Sequence, residues 1–300
     1  MAKLNTWLRA ARPRTVLLSF SGVLMGGFLA FTQDLFYPSV IVFAAFTAVL
    51  LQILSNLAND LGDFKKGTDN SRRKGPQREL QSGSISEKEI KTGIAIVGLA
   101  SLLSGGLLLL SVFLTSSNLI DLAVFALLGI AAFLAALFYT LGKRPYGYRG
   151  LGDLFCFIFF GWAAVFGTYY LATKNLDFSI LLPASAMGFM SNAVLNINNM
   201  RDIENDRASG KNSLVVKIGL QRAFIYHLLL IMGGLVAMTL FCLIKRLPFY
   251  CYAFWLLAPL FAKDLVQIKK TEPTQLDPML PKQVVKTFLL TAVFGITLLF

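Results

Sequence analysis

The side chains of this sequence that are best suited to bind a metal ion are concentrated in two short acidic segments. The first reads NLANDLGDFKKGTD from Asn56, and the second reads NINNMRDIENDRASGK from Asn196. If each segment is helical, side chains that are three or four positions apart share one face of the helix. Each segment then projects an amide and two carboxylates in one direction. The residues concerned are Asn56, Asp60 and Asp63 in the first segment and Asn198, Asp202 and Asp206 in the second.

Carboxylates held this close together repel one another, and dry surroundings make their ionisation costlier still. A divalent cation offsets that cost, because Mg²⁺ takes one or two carboxylates together with water and phosphate oxygens. Two such segments facing each other predict a site that holds Mg²⁺ against a diphosphate, where the metal neutralises charge on the leaving group. One acidic segment alone is better interpreted as a solvated helix end, but its repetition favours the metal site.

Long apolar runs must position these segments. The 300-residue chain is 56% hydrophobic and 15% charged, whereas soluble domains carry roughly 25% charged residues. A helix that crosses a membrane needs about 20 apolar residues. The sequence therefore predicts an all-α integral membrane protein with nine such helices, at about 15–33, 38–58, 90–114, 119–141, 151–172, 178–198, 221–244, 249–268 and 283–300.

Basic residues are concentrated at the N-terminus and after the even-numbered predicted helices. This asymmetry places the N-terminus and both acidic segments in the cytoplasm. The net charge of +12 is then explained by topology and by contact with membrane lipid, and nucleic acid is not expected as a partner because no soluble domain remains to bind it. Since the acidic segments follow the second and sixth helices, we expect one membrane domain over residues 1–300, with a weak internal repeat at about 38–88 and 178–220.

Several basic residues near the acidic segments are candidates for binding the diphosphate. Arginine binds phosphate oxygens in a bidentate manner, and lysine acts as a point charge, although for most of these residues the positive-inside rule is an equally good explanation. Lys143 stands out because Tyr139 precedes it by four residues, so both are expected on one face at the end of the fourth helix. The basic candidates are Arg72, Arg73, Arg78, Lys143, Arg201 and Lys211.

Other chemistries find little support in the sequence. His227 is the only histidine and lies in an apolar run, and the three cysteines lack the spacing of a metal site. A histidine or thiolate metal centre and a serine–histidine–aspartate triad are therefore not expected. A secondary transporter stays open as an alternative, because transporters also contain repeats, although the acidic groups lie at helix ends here rather than at mid-depth.

The two acidic motifs resemble those of the UbiA superfamily of intramembrane prenyltransferases. NDLGDFKKGTD from Asn59 and RDIENDRASGK from Arg201 are similar to its aspartate-rich motifs, and the pair Tyr139 and Lys143 is similar to its tyrosine–lysine pair. The N-terminal WLRAARPRTVLLSFSGVLMG is similar to the branch that prenylates 1,4-dihydroxy-2-naphthoate. Gly67 also favours this branch, because relatives that act on 4-hydroxybenzoate usually have an aspartate at that position.

The resemblance implies a helical bundle around a central cavity, in a bacterial cytoplasmic membrane, with Mg²⁺ as cofactor. It implies transfer of the prenyl group of polyprenyl diphosphate to 1,4-dihydroxy-2-naphthoate, with loss of CO₂, to give demethylmenaquinol in menaquinone biosynthesis. Other acceptors, such as 4-hydroxybenzoate, haem or a chlorophyll precursor, stay open. Carried over to this chain, the motifs imply that the catalytic metal ligands are Asp60, Asp63, Asp202 and Asp206, with Asp69 as a further candidate. Substrate contacts are then expected from Asn56, Asn198, Tyr139, Lys143, Arg201, Lys211, Arg72, Arg73 and Arg78.

Overall fold

The computed structural model describes residues 3–33, 36–70, 73, 75–116 and 118–300. Within these ranges the regular secondary structure is helical, and nine helices are long and apolar enough to cross a membrane, which confirms the predicted all-α membrane architecture. Spans one to nine run Pro13–Phe31, Pro38–Lys65, Glu87–Leu114, Leu119–Phe138, Gly152–Thr173, Phe178–Arg201, Leu220–Ile244, Phe249–Lys270 and Met279–Thr297. Shorter helices lie between or before them, at Leu4–Ala11, Tyr146–Arg149, Ile203–Ala208, Leu214–Ile218 and Pro273–Gln275.

Span two extends beyond the apolar run that predicts it. Its helix continues to Lys65, whereas the apolar run ends near residue 58. The added turns carry Asp60 and Asp63, which are nevertheless 1% and 5% exposed. Other parts of the protein cover these two carboxylates, and hydropathy alone therefore underestimates the length of the helix.

Span six lies at the centre of the bundle and contacts spans one, five, seven and nine. Spans three and four are peripheral, and they expose large apolar side chains such as Leu103 and Leu127, as expected for a surface that faces lipid. Span five contains a π-helical stretch at Phe157–Gly167. There it approaches span six closely, since a Cβ at Gly161 would lie 2.6 Å from the carbonyl oxygen of Ala184.

Candidate functional site

The first acidic segment is shaped by the end of span two and by a tight turn. Span two ends at Lys65, and Gly67 has a φ of +71°, a left-handed conformation that favours glycine. The backbone N–H groups of Thr68 and Asp69 then donate to the carbonyl oxygen of Asp63 at 2.9 and 3.3 Å. This turn folds Asp69 back against the helix end, so the Asp69 side chain is buried although it lies outside the helix.

The second acidic segment is nearly continuous with span six. A bend at Asp202 separates the span from the short helix Ile203–Ala208. Even so, the N–H of Asp202 donates to the carbonyl oxygen of Asn198 at 3.2 Å, and the N–H of Asp206 donates to that of Asp202 at 2.8 Å. The four-residue spacing predicted for these side chains is therefore retained across the bend. A turn after the short helix brings back Lys211, whose N–H donates to the carbonyl oxygen of Asp206 at 2.8 Å.

Direct polar contacts join the two acidic segments at one end of the bundle. Nδ2 of Asn205 donates to the carbonyl oxygen of Thr68 at 2.8 Å. Nζ of Lys211 lies 3.3 Å from Oδ2 of Asp63. Spans two and six therefore bring their polar ends together, and the structure assembles one buried site from both segments.

Three arginines surround the carboxylates of the first segment. Asp60 forms an ion pair with Arg12, and Nε of Arg78 lies 3.5 Å from Oδ1 of Asp60. Nε of Arg73 lies 3.3 Å from Oδ1 of Asp69. Burial lowers the pKa of Arg78 to about 9, and it raises the pKa of Asp69 above its usual value.

Arg201 holds the carboxylate of Asp202 in a bidentate manner. Its Nε and Nη2 donate to the two oxygens of Asp202 at 2.9 and 2.6 Å, while Nη1 donates to Asp277 at 2.6 Å and Nη2 donates to Asn198 at 2.9 Å. Burial would raise the pKa of Asp202, but the hydrogen bonds and charge of Arg201 hold it below its usual value. Because four of the five N–H groups of the guanidinium are engaged, Arg201 orients Asp202 and ties it to the connection between spans eight and nine.

Asp206 and Lys211 are both buried at the centre of the site. Burial raises the pKa of Asp206 to about 6, and in the described part of the chain no cation lies within 4.0 Å of its carboxylate. Burial would lower the pKa of Lys211, but Asp63 and Asp206 raise it well above its usual value. Lys211 therefore stays charged inside the site.

The donor set fits Mg²⁺ as the partner of a bound phosphate group. Among the described residues, no three Asp, Glu, His or Cys side chains converge closely enough to hold a metal by themselves. Both carboxylate oxygens of Asp69 are buried without a hydrogen-bond partner, as are Nε of Arg12 and Nε of Arg78. Mg²⁺ in phosphate sites completes its coordination with phosphate oxygens and water. These carboxylate oxygens of Asp69 suit the metal, and these Nε groups of Arg12 and Arg78 suit the phosphate.

One of the predicted substrate contacts does not fit the structure. Asn56 is turned towards the N-terminal helices, where its Nδ2 donates to the carbonyl oxygen of Ala11 at 2.9 Å and to Oγ1 of Thr15 at 3.0 Å. Gln52 in turn donates to Oδ1 of Asn56 at 3.2 Å. These bonds use the Asn56 amide, which anchors span two against span one. Arg72, another predicted contact, lies outside the described residues.

The expectation that Tyr139 and Lys143 share a helix face is wrong. Span four ends at Phe138, and Gly142 turns the chain with a φ of +89°. Tyr139 is directed into the site, and burial raises its pKa to about 12. Lys143 is exposed instead and lines a surface cavity of about 390 Å³ together with Lys66, Arg144, Pro145, Tyr148 and Arg149.

Tyr148 and Arg12 belong to the site but were missing from the predicted set. The hydroxyl of Tyr148 donates to Oδ1 of Asp63 at 2.8 Å and lies 2.6 Å from Oγ1 of Thr68. The only sequence signal for Tyr148 was an aromatic residue within the basic connection KRPYGYRG. Arg12 lies between the helix Leu4–Ala11 and span one with a φ of 52°. In the sequence it is one of several basic residues near the N-terminus, which the positive-inside rule explains equally well.

The chain is similar to known proteins over most of its length. The model of the UbiA prenyltransferase family matches residues 19–290. A 1,4-dihydroxy-2-naphthoate octaprenyltransferase from Escherichia coli is 43% identical over 292 residues, which cover 97% of this chain and 94% of that protein. The protein of the same name from Haemophilus influenzae is 41% identical over 300 residues, covering 99% and 96%. A UbiA homolog from Archaeoglobus fulgidus, solved with GPP and Mg²⁺, has the same fold with a TM-score of 0.66 at 16% identity, over 98% of each chain.

Proposed function

Because the chain belongs to the UbiA prenyltransferase family, we propose that it transfers a polyprenyl group from polyprenyl diphosphate to 1,4-dihydroxy-2-naphthoate. The product is demethylmenaquinol, an intermediate of menaquinone synthesis. The observation that carries this proposal is the identity of 43%, over 97% of the chain, with a protein named for this acceptor. The assembled acidic site supports the diphosphate-dependent part of the reaction.

The chain's own cations bind the diphosphate. Nε of Arg12 and Nε of Arg78 are buried donors without a hydrogen-bond partner, and they suit phosphate oxygens. Lys211 supplies a buried positive charge beside Asp63. These groups are fixed before the substrate arrives, so they stabilise the negative charge that develops on the leaving diphosphate without reorganisation.

The residues that would hold Mg²⁺ are the carboxylates of the two segments: Asp60, Asp63, Asp69, Asp202 and Asp206. When bound, Mg²⁺ neutralises charge on the leaving diphosphate. These five carboxylates are matched by five nearby cations, namely Arg12, Arg73, Arg78, Arg201 and Lys211. Since the charges of the protein nearly cancel, the several negative charges of a diphosphate need divalent cations to accompany them.

The electron flow of the transfer balances without an outside reagent. The bond between C1 of the prenyl group and oxygen breaks, and its electrons leave with the diphosphate. Electrons of the aromatic ring form the new bond to C1, and the electrons of the ring–carboxylate bond return to the ring as CO₂ leaves. Asp60, Asp63 and Asp206 are buried, so the carboxylates proposed to hold Mg²⁺ lie away from bulk water, which would otherwise capture an allylic cation.

We assign the site to the cytoplasmic side of a bacterial cytoplasmic membrane. The bundle end that carries both acidic segments also carries exposed basic residues in its other connections, including Arg144, Lys269 and Lys270. The positive-inside rule places such an end in the cytoplasm. Labelling of cysteines introduced at Lys143 and at Gln33, which follows the opposite end of span one, tests this orientation in intact cells.

The test of the function is an acceptor panel. Purified protein in detergent receives Mg²⁺, a labelled polyprenyl diphosphate and one of three acceptors: 1,4-dihydroxy-2-naphthoate, 4-hydroxybenzoate or haem. We expect a prenylated product only with the naphthoate, with equal release of diphosphate and CO₂. Product from 4-hydroxybenzoate alone would overturn the acceptor, and absence of diphosphate release with every acceptor would overturn prenyl transfer.

Variants connect this activity to the acidic site. Asp60→Ala and Asp202→Ala each remove a carboxylate that is at least nine-tenths buried, and both should abolish transfer while the protein remains folded in the membrane. Glu204→Ala is the matched control, because Glu204 is an exposed acid within the second segment. Near-normal turnover by either aspartate variant contradicts the assignment of these residues.

A further inference from the structure

A second polar cluster is buried inside the bundle. Asp153, the second residue of span five, is 8% exposed, although a carboxylate in an apolar bundle is costly. The hydroxyl of Tyr226, in span seven, donates to Oδ1 of Asp153 at 3.1 Å. Asn192, in span six, is 4% exposed and its side chain contacts the same phenol. Three spans thus contribute to what we call the inner cluster: Asp153, Asn192 and Tyr226.

The inner cluster has more hydrogen-bond acceptors than donors. The proton of the Tyr226 hydroxyl is used by Asp153, and Oδ1 of Asn192 is buried without a partner. Within the described ranges, the Asp153 carboxylate forms no ion pair with lysine or arginine, whereas Asp60, Asp63, Asp69 and Asp202 all do. A buried carboxylate without an ion pair, beside an amide oxygen without a hydrogen-bond partner, disfavours folding, and such groups mark functional positions in membrane proteins.

Tyr139 places the inner cluster next to the acidic site. A Cβ at Gly152 would lie 3.2 Å from Cε2 of Tyr139 and 3.5 Å from its hydroxyl oxygen, so the Tyr139 ring covers the turn that carries Asp153. The same phenol is within electrostatic range of Asp63 and of Asp153. Asn192 lies nine residues before the end of span six, which is about 14 Å along a helix. The inner cluster therefore extends from the acidic site towards the middle of the membrane.

We propose that the inner cluster binds a ring hydroxyl of the aromatic acceptor, an inference that rests on the proposed prenyl transfer. The unpartnered amide oxygen of Asn192 and the remaining acceptor positions of Asp153 favour a ligand with a hydrogen-bond donor. Of the two substrates, the dihydroxynaphthoate supplies such donors, and its own carboxylate is repelled by Asp153. The ring is thereby oriented with a hydroxyl at Asp153 and its carboxylate away from it, while Tyr226 acts as a positioning residue for Asp153.

This arrangement also assists the carbon–carbon bond. Positive charge spreads over the ring and its hydroxyl oxygens as the ring attacks C1 of the prenyl group. A carboxylate that accepts a hydrogen bond from the hydroxyl stabilises that charge where it develops. Asp153 therefore contributes to both acceptor binding and turnover, whereas it contributes little to binding of the polyprenyl diphosphate.

The first test compares kinetic constants for the two substrates. Asp153→Asn should raise the KM for the dihydroxynaphthoate about tenfold or more, the loss expected for one hydrogen bond to a charged group. The KM for polyprenyl diphosphate should stay within about twofold, and Tyr226→Phe should act in the same direction more weakly. The matched controls are Asp121→Asn and Tyr170→Phe, which remove a similar tyrosine–aspartate hydrogen bond of 2.8 Å far from the acidic site. An equal rise in both KM values, or an equal effect of the controls, overturns the proposal.

The second test uses acceptors methylated on one ring oxygen, either at position 1 or at position 4. The wild-type protein should discriminate between the two methyl ethers, because only one hydroxyl meets Asp153. Asp153→Asn should lose this discrimination, since the bond is already absent, whereas a purely structural role would lower turnover of both ethers alike. Tyr226→Phe gives the same readout if Asp153→Asn does not fold. Failure of the wild-type protein to prenylate any naphthoate counts against the proposed function; unchanged discrimination in an active variant counts against the inner cluster alone.

Discussion

Replacement of Arg201 by lysine should impair the site although the positive charge is kept. Arg201 is 3% exposed, and it forms four hydrogen bonds of 2.6–2.9 Å to Asp202, Asp277 and Asn198. An ammonium group cannot reproduce the planar fork that holds both oxygens of a carboxylate. Asp202→Ala removes the carboxylate itself, whereas Arg201→Lys tests whether that carboxylate must be oriented.

The size of the effect follows from the bonds that lysine cannot make. Hydrogen bonds to charged groups contribute about 1.5–3 kcal/mol each, and lysine should lose about two of the four. Water partly replaces the bond to Asp277, whose side chain is 30% exposed. We therefore expect a loss of about 3 kcal/mol in the free energy of unfolding. If about half of that loss falls on the transition state, prenyl transfer slows about tenfold.

Thermal unfolding in detergent and initial rates of diphosphate release measure the two effects. Asp277→Asn is the control, because it keeps a hydrogen-bond acceptor for Nη1 of Arg201 and changes only a partly exposed ion pair, which is worth about 1 kcal/mol or less. Its turnover should stay within about threefold of the wild type. The reasoning is refuted if Arg201→Lys turns over at the wild-type rate, or if Asp277→Asn is as damaging as Arg201→Lys.

Three further outcomes are expected. Removal of Mg²⁺ with a chelator should stop diphosphate release, and added Mg²⁺ should restore it; full activity in chelator would contradict the metal assignment. Tyr148→Phe removes the donor to Asp63 and should slow transfer by up to about tenfold without unfolding, as rates and melting curves will show. Gly62→Ala should destabilise the protein by about 1–3 kcal/mol through overpacking, because its Cβ would lie 2.8 Å from the backbone of Thr140. Gly106→Ala, with open space around its Cβ, should leave the melting temperature unchanged or higher, and equal effects of the two alanines would count against the packing argument.

The sequence was sufficient to predict the nine spans and the two acidic segments. Apolar runs of this length have few alternatives to a membrane helix, and the spacing of Asp60 and Asp63 predicts a shared helix face directly. The weak repeat at about 38–88 and 178–220 stays a prediction. The length of span two was underestimated, because polar side chains lower the hydropathy of a helical segment even where other parts of the protein cover them. Hydropathy then predicts a loop at the end of the helix.

Partners that are distant in the chain could not be predicted in the same way. Tyr148 contacts Asp63 across 85 positions of sequence, and Tyr226 contacts Asp153 across 73. The expected shared face of Tyr139 and Lys143 was wrong because a helical spacing was extended past Phe138, where the helix ends. Periodicity describes neighbours within one helix and contains no information on which helices pack together.

The sequence therefore predicts interactions between residues that are close in the chain, whereas the tertiary structure is needed for interactions between residues that are distant in the chain. The composition and the apolar runs were enough to predict a membrane protein, and the spacing of the acidic residues predicted a Mg²⁺–diphosphate site, because local spacing determines which side chains share a face. Prenyl transfer was implied only by the resemblance of the two motifs to the UbiA superfamily. Only the tertiary structure decided which cation meets which carboxylate, that Asn56 anchors span two, and that Asp153 is buried with no lysine or arginine of the described residues in an ion pair with it. Those properties depend on how spans five, six and seven pack, since the cost of a buried charge is set by the side chains that surround it.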